Sequence, residues 1–312
     1  MNLTRRTWLT ATAGGLTMPF ATASAEEKKP GQTSHSFRYG LNTATLIGQK
    51  LSIVEEVEIA SRAGYQAIEP WVRELEKYVK KGGKLKDLGK RIADRGLSVE
   101  SAIDFPEWIV DDDAKRKKGL ENARRGMDMV KQIGGQRIAA PPSGATTRAD
   151  IPLLTVAARY RALLDLGAKI GVVPQVEVWG FSKTLNRLGD AALVAIESGH
   201  KEACILADVY HLYKGGSGFT GVNLLNGSAL HVLHMNDYPA DPPRAAISDA
   251  HRVYPGDGVA PLKTFLGDLR RIGFRGVLSL ELFNREYWKR DALTVARTGL
   301  EKMKAVVASS LE

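Results

Sequence analysis

The sequence predicts an α/β protein whose single domain, residues 37–312, is a (β/α)₈ barrel of the TIM type. Eight short apolar runs alternate with segments in which apolar residues recur every three or four positions. Glycines directly follow several of these helical segments, at the place where a left-handed residue ends a helix. No Gly-x-Gly-x-x-Gly motif follows the first run, which argues against a dinucleotide-binding open sheet. Eight strand–helix units in a row therefore favour the closed barrel.

Each strand is predicted from a short apolar run between two helical patterns, as expected for a buried parallel strand. In chain order, the predicted strands are Arg38–Asn42, Ala67–Trp71, Ser98–Ile103, Arg137–Ala140, Pro174–Trp179, Ala203–Asp208, Ala229–Met235 and Gly276–Leu282. The spacing of apolar residues predicts the helices Ile53–Ala63, Leu85–Arg95, Ala114–Ile133, Leu153–Ile170, Leu185–Ser198, Leu262–Arg271 and Arg290–Ser309. The Gly-rich segment between Asp208 and Ala229 leaves room for only a short helix.

The first 25 residues have the pattern of an export signal. Thr4-Arg5-Arg6-Thr7-Trp8-Leu9 precedes a mildly apolar stretch, and Ala23-Ser24-Ala25 forms a small-x-small cleavage site. The paired arginines resemble a twin-arginine signal, and the apolar stretch is too short and too polar for stable membrane insertion. We therefore expect the twin-arginine export machinery as a partner, cleavage near Ala25 and a periplasmic location. A disordered basic N-terminus is the alternative. Residues 26–36 are polar and predict a flexible linker.

Bulk composition is that of an ordinary globular enzyme. Of 312 residues, 44% are hydrophobic and 25% are charged. The formal net charge is +9, but Lys and Arg are mixed with acids in helical segments such as Asp112–Lys118, which is typical of solvated helix faces. A nucleic-acid partner is therefore not expected. The single cysteine, Cys204, lies in an apolar strand and can form no internal disulfide.

Side chains that can bind a metal ion lie in four of the apolar runs in the second half of the chain. The runs PQVEVW, CILADVYH, ALHVLHMND and VLSLELF carry Glu177, Asp208, His234 and Glu281. A second histidine, His211, follows three residues after the aspartate. The carboxyl ends of parallel strands converge on one rim of a barrel, so these residues would surround one point. Two Glu, one Asp and one or two His form a mostly oxygen ligand set for a divalent cation.

These motifs resemble the xylose-isomerase-like barrel superfamily, and the resemblance covers about residue 37 to the C-terminus. It rests on five motifs in order: Val176-Glu177, Asp208-Val-Tyr-His211, His234-Met-Asn-Asp237-Tyr, Asp249-Ala-His-Arg252-Val-Tyr-Pro-Gly256-Asp-Gly258 and Ser279-Leu-Glu281-Leu-Phe-Asn284. The superfamily includes sugar isomerases, ketose 3-epimerases, inosose dehydratase, hydroxypyruvate isomerase, 3-dehydroshikimate dehydratase and endonuclease IV.

The resemblance implies one bound divalent metal ion, with Mn²⁺ as the leading choice and Mg²⁺, Co²⁺ or Zn²⁺ as alternatives. In the members that resemble epimerases, the matching ligands are Glu177, Asp208, His234 and Glu281. The position of His211 lies beside the metal and contacts substrate in those members. The position of Arg252 binds substrate oxygens.

Inversion of a carbon next to a carbonyl needs an acid or base on each face of the substrate. Glu177 and Glu281 come from the fifth and eighth predicted strands, across the rim from each other, so we predict them as the catalytic pair. Which of them is the acid and which the base stays open, because a bound cation dominates both pKa values.

Four further positions are predicted near the substrate. Glu69 ends the second predicted strand and is predicted to contact substrate, with a helix-capping role as the alternative. Trp179 lies near a strand end and is predicted to stack against a sugar. The same holds for Trp71 and Trp108, with core packing as the alternative for all three tryptophans.

We expect a metal-dependent isomerase or epimerase that removes a proton next to a carbonyl, through an enediolate, from an unphosphorylated sugar or keto-sugar. The expected export motivates the unphosphorylated substrate. Alternatives are a metal-dependent dehydratase or lyase, an endonuclease IV-like phosphodiesterase and a sugar-binding barrel without catalysis. Endonuclease IV needs extra His ligands after the second and third strands, and the sequence has none there. The expected partner is a small sugar, and a homo-oligomer is left open.

Overall fold

The computed structural model describes residues 37–312. The predicted signal peptide, residues 1–25, and the predicted linker, residues 26–36, lie outside these residues. The strands of the described part are β1 (Arg38–Asn42), β2 (Ala67–Glu69), β3 (Arg137–Ala140), β4 (Val173–Glu177), β5 (Ile205–Asp208), β6 (Leu230–Met235) and β7 (Val277–Leu280). They form one curled parallel sheet in the order β2-β1-β7-β6-β5-β4-β3.

The third predicted strand, Ser98–Ile103, is an irregular segment that joins the two edges of this sheet. On one side the Ile68 N–H donates to the carbonyl oxygen of Ser98, the first residue of the segment, at 2.9 Å. On the other side the Ala139 N–H donates to the Ala102 carbonyl oxygen at 2.8 Å. Pro70, directly after β2, has no N–H to donate, so the ladder beside β2 is interrupted. The predicted TIM barrel is confirmed, with seven regular strands and one irregular segment in the described part.

The helices of residues 37–312 are α1 (Ile53–Ala63), α2 (Val72–Lys80), α3 (Leu85–Asp94), α4 (Asp113–Gln132), α5 (Leu153–Ile170), α6 (Leu188–Glu197), α7 (Val209–Gly215), α8 (Leu262–Arg271) and α9 (Ala292–Ser309). All seven predicted helices are present, and α7 is the short helix of the Gly-rich segment. The helix α2 is missing from the prediction, because Trp71 precedes it in place of a usual capping residue. Glu74 starts it by accepting the Trp71 N–H at 3.1 Å. No helix in the described part is both long enough and apolar enough to cross a membrane.

Local sequence sets the ends of α1. The Ser52 hydroxyl accepts the Glu55 N–H at 3.3 Å, and the Glu55 carboxylate accepts the Ser52 N–H at 2.7 Å, which forms a capping box. Gly64 ends the helix with a φ of 96°, which glycine adopts at no steric cost. Between these ends Val57 and Ala60 are fully buried. Helices packed in this way surround parallel strands, whose carboxyl ends and following loops share one rim.

Gly167 of α5 packs tightly against the residues that lead into β4. Gly167→Ala should lower the free energy of unfolding by about 1–3 kcal/mol, as overpacking does. An added Cβ would lie 2.4 Å from the Val172 carbonyl oxygen and 2.7 Å from Pro174 Cδ. The matched control is Gly267→Ala in α8, where nothing else lies within 4 Å of the added Cβ. The control should raise stability by about 0.5–1 kcal/mol. Urea unfolding followed by circular dichroism measures both, and equal effects would contradict the tight contact.

Candidate metal centre

Four strands bring the predicted metal ligands to one point on the carboxyl rim. Glu177 and Asp208 end β4 and β5, His234 lies near the end of β6, and Glu281 directly follows β7. The register of β5 and β6 places Asp208 directly beside His234. All four residues are buried, with exposed fractions between 0% and 4%. The structure thus brings together every residue that the sequence predicts as a ligand.

One imidazole nitrogen faces all three carboxylates. His234 Nδ1 lies 3.2 Å from Glu281 Oε2, 3.7 Å from Asp208 Oδ2 and 3.8 Å from Glu177 Oε1. One ligand atom each from Asp208, His234 and Glu281 lies within 4.8 Å of the other two. Buried Nδ1 of His234 and Oε2 of Glu177 lack any hydrogen-bond partner in the protein. The unpartnered imidazole nitrogen, together with the carboxylate oxygens that face it, fits a divalent cation.

Arg252 compensates part of the negative charge. Its Nη1 donates to Asp208 Oδ2 at 2.8 Å and to Glu281 Oε2 at 2.9 Å, and its Nη2 donates to Asp249 Oδ1 at 2.6 Å. The side chain is 1% exposed, so these ion pairs are screened little by water. The predicted substrate-binding arginine therefore lies inside the centre, and its Nε has no protein partner.

The carboxylates also control the protonation of His234. Burial lowers the pKa of His234, but the facing carboxylates of Glu281 and Glu69 outweigh burial and raise this pKa well above its ordinary value. Burial raises the pKa of Glu177 to about 8, with His234 opposing the shift and Glu281 adding to it. Without a cation, the centre therefore holds protons near neutral pH that a cation must displace.

Glu69 lies behind His234, on the side away from the three carboxylates. Its Oε2 accepts the Ser279 hydroxyl at 2.7 Å and lies 3.1 Å from His234 Nε2. The residue is 3% exposed. A carboxylate on one ring nitrogen orients the other nitrogen towards a metal, so this geometry makes Glu69 a positioning residue for His234. Oε2 of Glu69 contacts protein groups, whereas its buried Oε1 has no hydrogen-bond partner in the protein, and the substrate contact expected from the sequence stays a prediction.

Asn42 at the end of β1 connects two of these acids and is absent from the predicted site. Its Nδ2 donates to Glu69 Oε2 and to Glu281 Oε1, each at 3.0 Å. Its Oδ1 accepts the Trp71 indole N–H at 3.0 Å. An amide nitrogen has two hydrogens, which suits a bridge between two carboxylates. A polar residue at a strand end, as used for the ligands, is the signal that could have identified Asn42.

Asp237 fixes the loop that carries Arg252. Its carboxylate accepts the backbone N–H groups of Gly256 at 3.0 Å, Gly258 at 3.1 Å and Ala260 at 2.9 Å. A Cβ at position 258 would lie 2.2 Å from the Tyr238 carbonyl oxygen, so glycine is required there. This contact gives a physical reason for the spacing between Asp237 and the Gly256-Asp-Gly258 motif.

His211, in α7, is neutral and offers one free donor. Burial lowers the pKa of His211 to about 4, Asp208 opposes the shift, and Arg252 adds to it. Nε2 of His211 lies 3.1 Å from Arg252 Nη2. A guanidinium can only donate, so Nε2 accepts and the ring proton is on Nδ1. That N–H is buried and has no protein partner.

The three tryptophans separate into two groups. Trp179 is half-buried, with its ring centroid 6.5 Å from that of His211, and Trp71 reaches the centre through Asn42. Trp108 is fully buried, and its indole N–H donates to the Pro141 carbonyl at 2.8 Å. Trp108 therefore packs in the core, which was the alternative to stacking against a sugar.

The chain belongs to the family of xylose isomerase-like TIM barrels, whose model matches residues 57–306. An inosose isomerase from Bacillus velezensis is 25% identical over 281 residues, which cover 86% of this chain and 96% of that protein. A 3-dehydroshikimate dehydratase from Pseudomonas aeruginosa is 24% identical over 253 residues, which cover 81% of this chain and 39% of that protein. Both relatives are enzymes, as expected from the sequence.

A solved structure shows the same fold. The crystal structure of the IOLI protein with a binding zinc atom superposes with a TM-score of 0.81 at 22% sequence identity. The match covers 88% of this chain and 99% of that chain. The fold of the barrel is therefore shared with that protein.

Glu69→Gln should weaken Mn²⁺ binding about 10- to 100-fold, because loss of an outer carboxylate lowers the affinity of the histidine that it orients. Isothermal titration calorimetry measures the affinity without relying on turnover. The matched control is Glu58→Gln, which alters an exposed ion pair with Arg95 and should leave the affinity unchanged. An unchanged affinity in Glu69→Gln would contradict the positioning role.

Mn²⁺ affinity should rise as the pH rises through neutrality. The raised pKa values of His234 and Glu177 mean that both groups hold protons below those values, and a cation must displace them. Calorimetry in buffers of different ionisation enthalpy, at two pH values on either side of neutrality, measures the protons released. Binding without proton release at the lower pH would rule out this linkage.

Proposed function

We propose that the protein is a divalent-metal-dependent isomerase or epimerase of unphosphorylated sugars, keto-sugars or related cyclic polyol ketones. The observation that carries the proposal is the buried meeting of three carboxylates around one nitrogen of His234. Family membership and similarity to an inosose isomerase support it. We propose Mn²⁺ as the ion because the donors are mostly oxygen atoms, with Mg²⁺, Co²⁺ or Zn²⁺ as alternatives.

The two predicted catalytic glutamates have different surroundings. A bound cation would polarise the substrate carbonyl and stabilise the negative charge that develops as the neighbouring proton leaves. Glu177 keeps Oε2 free of protein partners, so this oxygen is available to accept a proton. Both oxygens of Glu281 are engaged, by Asn42 at 3.0 Å and by Arg252 at 2.9 Å. We therefore assign proton removal to Glu177. Proton return on the opposite face is left to Glu281, whose carboxyl must carry the proton that it donates.

Two buried donors are available to substrate oxygens. They are the N–H groups at Nδ1 of His211 and Nε of Arg252, neither of which has a protein partner. An unpaired buried donor is costly, so a substrate hydroxyl or carbonyl is the natural partner of each. The guanidinium of Arg252 is already paired with three acids, Asp208, Asp249 and Glu281, so its single positive charge is not free for a phosphate. These features favour an uncharged sugar.

A dehydratase is the second candidate, because a related enzyme is a 3-dehydroshikimate dehydratase. The same base would remove the proton from the carbon next to the carbonyl. Water is then lost when the following carbon, β to the carbonyl, carries a hydroxyl group. The endonuclease-like alternative is not proposed, since Glu69 and Asp104 occupy the positions where extra histidines would be needed.

We also propose that residues 1–25 direct the folded enzyme to the twin-arginine export machinery and that the mature enzyme acts in the periplasm. The support is the Arg5-Arg6 pair, the weakly apolar stretch and the Ala23-Ser24-Ala25 site. Sugars outside the cytoplasm are mainly unphosphorylated, which agrees with the uncharged substrate proposed from the site.

Turnover in D₂O tests the proposed chemistry. Mn²⁺-loaded protein is incubated with a panel of unphosphorylated keto-sugars and inososes, and the products are followed by NMR. We expect deuterium at the carbon next to the carbonyl, together with a changed carbonyl position or configuration. Loss of water with the same labelling would identify the dehydratase. No labelling of any compound would contradict proton transfer.

The same experiment tests the role of Glu177. Glu177→Gln should slow labelling by about 10²- to 10⁴-fold, as expected for loss of a general base. Metal content and thermal unfolding are measured in parallel, which separates loss of the base from loss of the ion or of the fold. The matched control is His231→Gln, because His231 lies in β6 but is half-exposed, and it should retain full labelling. Full labelling by Glu177→Gln would overturn its assignment.

A further inference from the structure

A cavity of about 580 Å³ lies beside the 3₁₀ segment Thr43–Gln49, the start of α1 and one face of α2. Its lining comes from these helices and from the residues that join and follow them, and no strand residue takes part. Within residues 37–312, no lining residue forms a hydrogen bond or an ion pair with the four predicted metal ligands. The cavity is therefore separate from the metal centre, and its volume is in the range of pockets that hold small organic molecules.

Glu56 of α1 presents a buried carboxyl group to this cavity. The residue lines the cavity but is 2% exposed, and its Oε2 has no hydrogen-bond partner within residues 37–312. Burial raises the pKa of Glu56 to about 10, and Glu74 adds to the shift. Lys77 and Arg73 are near enough to oppose this pKa shift. A carboxyl group that is protonated at neutral pH can donate its O–H, and an oxygen atom of a ligand is the natural partner of such a buried donor.

The other two acids of the cavity are already bound to neighbouring groups. Glu55 accepts both the N–H and the hydroxyl of Ser52 at 2.7 Å, in the capping box of α1. Glu74 accepts the Thr43 hydroxyl at 2.7 Å and the Trp71 N–H at 3.1 Å. Neither acid forms an ion pair within residues 37–312, so neither is paired with a cation of the cavity.

Four cations that form no ion pair within residues 37–312 line the same cavity, namely Lys50, Arg73, Lys77 and Lys81. All four are exposed, whereas Glu56 is buried, so the positive charges border the opening and the carboxyl group lies deeper. Arg73, Lys77 and Lys81 follow one another at four-residue spacing along α2 and its end, and therefore lie on one face. Like charges at this spacing destabilise a helix. An anion in the cavity would relieve this repulsion, which the neutral Glu56 does not.

Part of the lining is apolar. Ile47, Leu51 and Tyr78 are half-buried and line the cavity together with the charged groups. A bare inorganic anion would leave these side chains uncovered, whereas an anion with a carbon skeleton covers them and still reaches the cations. The lining therefore favours an organic ligand.

We propose that this cavity is a second binding site, for a small organic oxyanion. The carboxylate or phosphate group of the ligand binds the cations of Arg73, Lys77 and Lys81. One of its oxygens accepts the O–H of Glu56, and its carbon skeleton packs against the apolar side chains. The site is independent of the proposed function, since none of its residues has a role there.

Isothermal titration calorimetry of the full-length protein, without added metal, tests the site. The probes are D-gluconate and D-glucose 6-phosphate, which carry a carboxylate and a phosphate on a similar carbon skeleton. D-glucose and inorganic phosphate are the comparisons. At least one organic anion should bind once per chain and about tenfold more tightly than either comparison, as one hydrogen bond to a charged group gives. Tighter binding of one of the two identifies the anionic group.

Two pairs of lysines separate this site from general attraction by positive charge. Lys77→Gln with Lys81→Gln should weaken binding of the organic anion about tenfold. The matched control is Lys80→Gln with Lys84→Gln, which removes the same charge from nearby exposed positions that do not line the cavity. The control pair should keep the affinity within about twofold.

Two further variants test Glu56. Glu56→Met removes the donor and should weaken binding about tenfold, because the anion loses one charge-assisted hydrogen bond. Glu56→Gln keeps an N–H donor at the same place and should bind within about threefold of the unaltered protein. Thermal unfolding, measured in parallel, shows whether each variant is folded.

The outcomes decide between this site and simpler explanations. Binding of neither organic anion would overturn the site, and so would equal weakening by the two lysine pairs. Inorganic phosphate that binds as tightly as the organic anions would overturn the organic ligand. A folded Glu56→Met variant that binds like the unaltered protein would overturn the contact assigned to Glu56. Labelling in D₂O bears on none of these outcomes.

Discussion

Burial of negative charge around one point is the constraint on which the rest of the structure depends. Three carboxylates face His234 in an enclosed site, where they repel one another and have lost their hydration. The fold must therefore provide positive charge beside them. Arg252 provides one fixed charge, and a proton on His234 provides another in the absence of an ion. The proposed divalent ion would take the place of that proton, which links metal binding to pH.

The same constraint explains the polar layer around the centre. Asn42 places its two amide hydrogens between Glu69 and Glu281, and Glu69 in turn fixes the ring of His234. On the other side Asp237 fixes the loop that brings in Arg252. Side chains held in this way lose little conformational entropy when a substrate binds. Such fixed positions favour efficient proton transfer.

Most of the fold could be predicted from sequence, because each strand and helix leaves a local signature. The apolar spacing of α1 and the glycine that ends it are read directly from the chain. The exceptions depend on contacts between distant segments. Residues 98–103 do not form a regular hydrogen-bond ladder with the chain beside them, because Pro70 after β2 has no N–H to donate. The helix α2 begins with a hydrogen bond from the Trp71 N–H to Glu74, and tryptophan is not a usual capping residue.

For the centre, the sequence by itself determined the residues that could bind a metal, since Glu177, Asp208, His234 and Glu281 each lie at the end of an apolar run and parallel strands bring such ends together. Only the tertiary structure decided what lies around them. Asn42 as a bridge, Glu69 as the support of His234 and the proton on Nδ1 of His211 follow from hydrogen bonds between different strands and loops. The periodicity of a sequence shows which face a residue occupies, whereas a hydrogen bond depends on the distance between atoms that only the folded barrel brings together.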